Sequence, residues 1–334
     1  MLDFRKRQAK DAPLRTKTNS IPTEDTLFTQ ITLQSLDQAM DASCSFPIRI
    51  IRAIVDSPIV PTTFPPTLKA RTTMSAILVL VGIFSSITDA NAATNWVNKY
   101  VTPYSQDVNF KYIAVGNEIL PGDNEAQYIL SVMTNIQNVI SSANLQIKVS
   151  TAIDSTLITN PYPPNDGVFT NDAEQYIRPI LNLLMKNGAP LLANVYPYFA
   201  YAGDQQNNIP LSYALFTQQG TNSVGYQNLF DAMLDSIYAA LEKVEASNLQ
   251  IVVSESGWPS EGGIGATIDN AATYYANLIS HASGGTGTPK RPGVSIETYL
   301  FAIFDENQKQ GAETERHFGL FSPDKTPKYQ LNFN

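Results

Sequence analysis

The chain has 334 residues, of which 43% are hydrophobic and 16% charged, and this ordinary globular composition excludes a disordered or fibrous protein. Its net charge of -8 argues against a nucleic-acid-binding surface. The single cysteine, Cys44, excludes an intrachain disulfide framework, and the only two histidines lie far apart in sequence, so we expect no metal ion or other cofactor.

The first 87 residues contain a basic tail and three strand candidates, of which the first two are weak. The candidates are Leu27 to Leu33, Ile48 to Val55 and Ala76 to Phe84. The third one, followed by Ala90-Asn91-Ala92, also has the pattern of a secretory signal peptide, although a buried strand is the favoured interpretation. It is too short to cross a bilayer, so we expect no membrane span.

From about residue 88 onward, short apolar strands alternate with longer amphipathic helices, and a polar, tyrosine-rich insertion ends near Gly225. The predicted strands are Lys111 to Gly116, Ile147 to Ile153, Leu191 to Tyr196, Gln250 to Ser254 and Ile296 to Phe304. The predicted helices are Asn124 to Ala143, Asp172 to Lys186, Tyr226 to Glu245 and Ile268 to His281. This alternation predicts an α/β fold with a parallel sheet. It favours an eight-fold (β/α)8 TIM barrel, with a doubly wound sheet as the alternative.

Three glutamates follow predicted strands. They are Glu118, Glu255 and Glu306, and Lys309 and Glu315 come soon after the last. In α/β barrels, the carboxyl ends of the strands carry the active site. Any one of these acids alone is more simply explained as a helix cap or as the partner of a surface lysine. Together they would repel one another at one end of the barrel, so the set indicates a function.

Strict alternation along a strand predicts that Glu118 shares a face with Ala114, and Glu255 a face with Ile251 and Val253. Both carboxylates would then project from the top of the apolar barrel interior. Two opposed carboxylates without metal ligands are the groups that glycosidic bond cleavage requires. One protonates the leaving oxygen, and the other attacks or stabilises the oxocarbenium-like centre.

Aromatic residues follow two of these strands, as expected for a sugar-binding cleft. Tyr196, Tyr198 and Phe199 come directly after one strand, and Trp258 lies three residues beyond Glu255. Flat aromatic faces pack against the apolar faces of pyranose rings. For Tyr196 and Trp258, sugar contact and ordinary core packing are equally compatible with the sequence.

Four segments of the chain resemble plant endo-β-1,3-glucanases of glycoside hydrolase family 17, the pathogenesis-related group 2 proteins. The segments are Tyr112 to Glu118, Ala193 to Phe199, Val252 to Ser260 and Thr298 to Lys309, and two further matches are Tyr226 to Asp235 and His317 to Asp324. The resemblance covers about residues 88–334. It implies a (β/α)8 barrel that hydrolyses internal β-1,3-glucosidic bonds with retention of configuration.

The resemblance also implies roles for individual residues. Glu118 would be the acid/base and Glu255 the nucleophile, with Glu306, Lys309 and Glu315 as accessory groups. The substrate-binding residues would be Asn117, Tyr196, Tyr198, Phe199, Trp258 and Phe304. The implied partner is a β-glucan, either callose or fungal wall glucan, and we expect an extracellular monomer that acts in plant defence.

The first 87 residues depart from the family pattern. The two opening strand motifs of the family are absent, and Ile48 to Asp56 is a faint echo of the second. We therefore divide the chain into an atypical region, 1–87, and a catalytic barrel, 88–334, whose first two or three βα units are irregular or incomplete. Either the region has diverged or the sequence is a mis-joined translation. A glucan-binding protein without turnover and a β-1,3;1,4-glucanase are the alternative functions.

Overall fold

The computed structural model describes residues 48–49, 52–56, 75–82, 84–106, 108–205 and 207–331. The strands are β1 Ile48–Arg49, β2 Arg52–Asp56, β3 Ser75–Val81, β4 Asn109–Asn117, β5 Lys148–Ile153, β6 Ile158–Thr159, β7 Val168–Phe169, β8 Leu191–Asn194, β9 Ile251–Ser256 and β10 Thr298–Leu300. Eight of them form one parallel sheet in the order β1-β10-β9-β8-β5-β4-β3-β2, and β6 and β7 form a separate antiparallel pair.

Helices cover the outside of this sheet. The α-helices are α1 Ala90–Tyr100, α2 Ala126–Ser142, α3 Asn171–Asn187, α4 Pro197–Gly203, α5 Leu211–Ala214, α6 Leu229–Lys243 and α7 Ile268–Ser283. Short 3-10 helices lie at Phe84–Ser86, Thr102–Tyr104, Ser155–Leu157, Pro164–Asp166 and Glu313–Arg316. The predicted α/β barrel architecture is thereby confirmed.

The two ends of the sheet are neighbours along the chain. Ile48 of β1 pairs with Thr298 of β10, whereas Arg52 of β2 pairs with Ile77 of β3. Since β1 and β2 are only two residues apart, the sheet curls round and returns to the segment from which it started. Within the described residues, eight strands build this curled sheet.

Two hydrophobic clusters fill the molecule, one on each face of the sheet. The inner cluster consists of strand residues alone and includes Ile77, Tyr112, Ala114 and Val252. The outer cluster combines the opposite strand faces with the apolar faces of the helices. Side-chain alternation along the strands produces this division, because successive residues point into the barrel and out toward the helices.

Most predicted elements from residue 88 onward are confirmed to within a few residues. Helix α3 shows why: Thr170 caps its first turn by accepting a hydrogen bond from the backbone N–H of Ala173, and Gly188 ends it in the left-handed conformation, with a φ of 58°. Strand β3 confirms the strand interpretation of the signal-like stretch, since Ile77 to Leu80 are buried. The candidate Leu27 to Leu33 lies outside the described residues.

Several elements differ from the prediction. Helix α1 was not predicted, and the tyrosine-rich insertion contains the short helices α4 and α5. Strand β10 spans three residues instead of the predicted nine. Strand β9 extends to Ser256, so that Glu255 lies within the strand and not after it.

Candidate active site

The carboxyl end of β4 contains an irregularity that changes the direction of its last side chains. Ala114 pairs with Ser150, but the next matched pair is Asn117 with Ala152, so β4 has one residue more than β5 over this stretch. Gly116 adopts a φ of 81° there, a conformation that side-chain-bearing residues rarely adopt. The bulge therefore sets the direction in which Glu118 leaves the strand.

A second bulge, in β9, corrects the face predicted for Glu255. Val253 belongs to the outer cluster and Val252 to the inner one, so strict alternation would turn Glu255 toward the helices. The ladder instead pairs Ala193 with Val253 and then Asn194 with Glu255, which leaves one extra residue in β9. The extra residue breaks the alternation and lets Glu255 join the residues at the top of the barrel.

Glu118 is the first residue after β4 and is half-buried. Its φ is 57°, and its backbone N–H donates a 2.8 Å hydrogen bond to the carbonyl of Ala152. Its carboxylate accepts a 2.9 Å hydrogen bond at Oε1 from Nδ2 of Asn194. The same Nδ2 donates to Oδ1 of Asn117 at 3.0 Å, and Ser254 Oγ donates to Oδ1 of Asn194 at 2.7 Å.

Glu255 lies deeper than Glu118, with 5% of its surface exposed. The hydroxyl of Tyr196 donates a 2.7 Å hydrogen bond to its Oε2. The Tyr196 ring is held in turn by edge-on contacts with Phe301 and Phe318, whose ring centroids lie 6.1 and 5.7 Å away. The carboxylate is therefore held in place by a buried hydroxyl on a packed ring.

Lys309 lies between two of the predicted accessory acids. Its Nζ is 2.9 Å from Oε2 of Glu306 and 3.1 Å from Oε2 of Glu315, and it lies 5.2 Å from the centre of the Phe301 ring. Burial lowers the pKa of Lys309, but the two carboxylates outweigh burial, so that this pKa lies above its usual value. The three groups thus form a charged cluster in which the lysine stays protonated.

A loop, and not a strand end, carries Glu306. Beyond β10 the chain is irregular, and Phe304 makes only an isolated bridge with Phe321. The loop is fixed by backbone hydrogen bonds from Ala302 to the carbonyl of Phe318 and from Leu320 to the carbonyl of Ala302. Phe304, the predicted last residue of the strand, is therefore a half-buried loop residue.

Trp258 and Tyr198, which were predicted to bind substrate, are both buried in this structure. Trp258 has no exposed surface, and its indole N–H donates a 2.9 Å hydrogen bond to the carbonyl of Gly265. Tyr198 is 2% exposed and packs edge-on against Trp258 at 5.1 Å. Burial, followed by the nearby Tyr201 and Glu315, raises the pKa of Tyr198 to about 12. Both residues belong to the packed aromatic core beside the site.

Other predicted site residues remain accessible. Phe199 and Phe304 are half-buried, and so is Asn117 beside Glu118. Sequence reasoning missed Asn194 and Ser254, which are buried polar residues at the ends of two otherwise apolar strands. That position was a usable signal, because a buried polar side chain requires a hydrogen-bonding partner. Within the described ranges, no group of three His, Cys, Asp or Glu residues could hold a metal ion.

Comparison with known proteins identifies related sequences. The family model described as Glycosyl hydrolases family 17 matches residues 68–333. A glucan endo-1,3-beta-glucosidase of Glycine max is 79% identical over 239 residues, which cover 71% of this chain and 93% of that protein. A protein of the same name from Vitis vinifera is 58% identical, over 75% of this chain and 74% of its own length.

Solved structures with the same fold include CJP38, a beta-1,3-glucanase and allergen of Cryptomeria japonica pollen. Its sequence identity is 42% and its TM-score 0.77, with 85% of this chain and 90% of that chain covered. One of two plant beta-glucan endohydrolases with distinct substrate specificities is 38% identical, with a TM-score of 0.73, and covers 78% of this chain and 85% of its own.

Proposed function

Because the chain belongs to glycosyl hydrolase family 17, we propose that it cleaves internal β-1,3-glucosidic bonds of a β-glucan, with Glu118 as the acid/base and Glu255 as the nucleophile. The observation that supports this assignment most directly concerns Asn194. Its side chain binds Glu118, and its backbone is the register partner of Glu255. One residue of β8 therefore links the two carboxylates at the carboxyl ends of the strands.

The proposed reaction has two steps. In the first, Glu118 transfers its proton to the glycosidic oxygen while a carboxylate oxygen of Glu255 attacks the anomeric carbon, so that the C–O bond breaks and a glycosyl ester forms. In the second step, Glu118 removes a proton from water, the water oxygen bonds to the anomeric carbon, and the ester is cleaved. Both attacks invert the anomeric carbon, and the net result is retention.

The environments of the two glutamates fit these different roles. Glu255 is buried and accepts the hydroxyl hydrogen bond of Tyr196, which stabilises a carboxylate. Glu118 is more exposed than Glu255. This exposure fits the acid/base, because that group exchanges protons first with the substrate and then with water. The cluster of Glu306, Lys309 and Glu315 would bind sugar hydroxyls beside them.

The experiment that tests this proposal is hydrolysis of soluble β-1,3-glucan by the purified chain, followed by reducing-end release. The expected result is a rapid fall in polymer length, with the β-anomer appearing first in proton NMR spectra. Hydrolysis of a mixed β-1,3;1,4-glucan at an equal or higher rate would contradict the β-1,3 assignment. Binding of glucan without release of reducing ends would contradict enzymatic activity and favour the glucan-binding alternative.

The predicted location and assembly state remain proposals. The chain has a sequence pI of about 4.8, and it is 56% identical to a glucan endo-1,3-beta-glucosidase of Nicotiana tabacum named as an acidic isoform, which supports the extracellular location. None of the helices in the described residues could span a membrane. Fractionation of the producing tissue and sedimentation of the purified protein would test the extracellular location and the monomer.

A further inference from the structure

The amide of Asn194 is fully engaged by groups at the carboxyl ends of β4 and β9, the two strands that carry the proposed catalytic glutamates. Both Nδ2 hydrogens are used, one on Oε1 of Glu118 and one on Oδ1 of Asn117, and Oδ1 accepts the hydroxyl hydrogen of Ser254. Asn194 is 2% and Ser254 4% exposed, so the amide itself is shielded from water. A buried amide satisfied on both ends has one stable orientation.

We infer that Asn194 is a positioning residue that directs the catalytic proton of Glu118 to Oε2, and that Ser254 keeps Asn194 in the orientation this requires. The inference rests on the proposed acid/base role of Glu118. It specifies which oxygen of Glu118 carries the catalytic proton, a point that the assignment of the two carboxylates does not decide.

The reasoning follows from the donor character of Nδ2. An amide N–H can only donate, so Oε1 of Glu118 must accept from it in both protonation states of the carboxyl group. The proton of the acid form is then on Oε2. In the first step the Oε2–H bond breaks and the glycosidic oxygen gains that proton; in the second step a water proton returns to Oε2.

Glu118 needs such external control because its own backbone does not supply it. The residue follows a bulge, has a positive φ and is half-buried, so neither strand geometry nor close packing fixes its side chain. Glu255, by contrast, is enclosed and held by Tyr196. A misdirected proton costs catalysis only where the leaving group needs protonation.

The test compares kcat/KM on two substrates, since kcat/KM reports the first step. One is a β-1,3-glucan oligosaccharide, whose leaving sugar needs a proton. The other is a 2,4-dinitrophenyl β-laminaribioside, whose leaving group does not. Asn194→Ala should lose about 10- to 100-fold on the oligosaccharide. It should lose less than about threefold on the activated glycoside.

Ser254→Ala should show the same selective loss at a smaller size, about 3- to 10-fold, and Ser254→Thr, which retains the hydroxyl, should restore the rate. Equal losses on both substrates in the Asn194 and Ser254 variants, or no loss in either, would overturn the inference. Should Asn194→Ala fail to fold, the Ser254 pair decides by the same criterion.

Glu118→Gln separates this inference from the proposed function. A selective loss in Glu118→Gln without one in the Asn194 and Ser254 variants would reject the positioning role and leave the acid role intact. A wild-type chain that cleaves neither substrate would reject the proposed function itself.

Discussion

Asn194 donates a 2.9 Å hydrogen bond to the carboxylate of Glu118, although the two residues are 76 positions apart in the chain. The bond crosses the top of the barrel from β8 to the end of β4. The end of the barrel where we propose the active site is therefore held together by side chains at the strand ends themselves. Substitutions at these strand ends should change catalysis in ways that distinguish one role from another.

We expect Glu255→Ala to lower kcat by at least about 10³-fold, because no other group replaces the attacking carboxylate. Azide should restore turnover of an activated aryl β-glycoside and yield the α-configured glycosyl azide, since azide then enters from the face that Glu255 occupied. Product NMR measures this outcome, and circular dichroism checks that the fold is retained. A β-configured azide would reassign the nucleophile.

For Glu118→Ala, azide should give the opposite anomer. The glycosyl ester on Glu255 still forms from an activated substrate, and azide then displaces it to give the β-configured product. The parent glucan should be cleaved about 10² to 10⁴ times more slowly, because its leaving sugar stays unprotonated. The same α-azide in both variants would contradict the division of roles.

Trp258→Phe should lower the free energy of unfolding by about 1–3 kcal/mol, since it removes buried volume and the hydrogen bond to Gly265. The KM for soluble glucan should stay within about twofold of wild type, because the indole does not reach the surface. Urea unfolding and initial rates measure the two effects. A tenfold rise in KM at unchanged stability would restore the sugar-contact role.

Lys309→Met should destabilise the protein in a pH-dependent way. The folded pKa of Lys309 lies above the ordinary value of 10.5, so its stabilising contribution is complete below about that pH and is lost as the pH rises through the folded pKa. Melting temperatures of wild type and variant should differ by a constant amount from pH 7 to 9. The two melting temperatures should converge above pH 11. A difference between them that increased above pH 11 would contradict the stabilising role of the Lys309 charge.

Gly257→Ala should destabilise the protein by at least about 2 kcal/mol, because a Cβ there would lie 2.1 Å from the carbonyl oxygen of Phe301. Gly122→Ala is the matched control: a Cβ there meets nothing within 4 Å. Its effect should stay within about 0.5 kcal/mol. Both are measured by urea unfolding, and similar values for the two would contradict the predicted clash.

Periodicity and turn chemistry were sufficient to predict most of the longer strands and helices from residue 109 onward, because each of them is locally consistent. Helix α3 has a capping threonine, acidic residues in its first turn and a terminal glycine. The bulges before Glu118 and Glu255 could not be predicted, since an extra residue in a ladder depends on the partner strand. For the same reason the face of Val253 was predicted incorrectly.

Glu118 and Glu255 are prominent in the sequence because each places a charge at or near the end of an apolar strand. The burial of Trp258 could not be predicted, since a tryptophan after a strand end can point either into the cleft or into the core beneath it. Asn194 was not predicted because a single neutral amide in an apolar strand carries no charge that marks it as part of a site. Its position in an apolar strand indicates burial, but its bonding partners become known only when β4, β8 and β9 are brought together.

The pairing of Ile48 with Thr298 has a consequence for biosynthesis. The two residues are about 250 positions apart, so a ribosome must release nearly the whole polypeptide before the sheet can return to its starting segment. Until then the nascent sheet has open strand edges that invite pairing with other chains. Chains terminated before residue 298 should therefore depend more on chaperones than the finished product does, and they should aggregate more often.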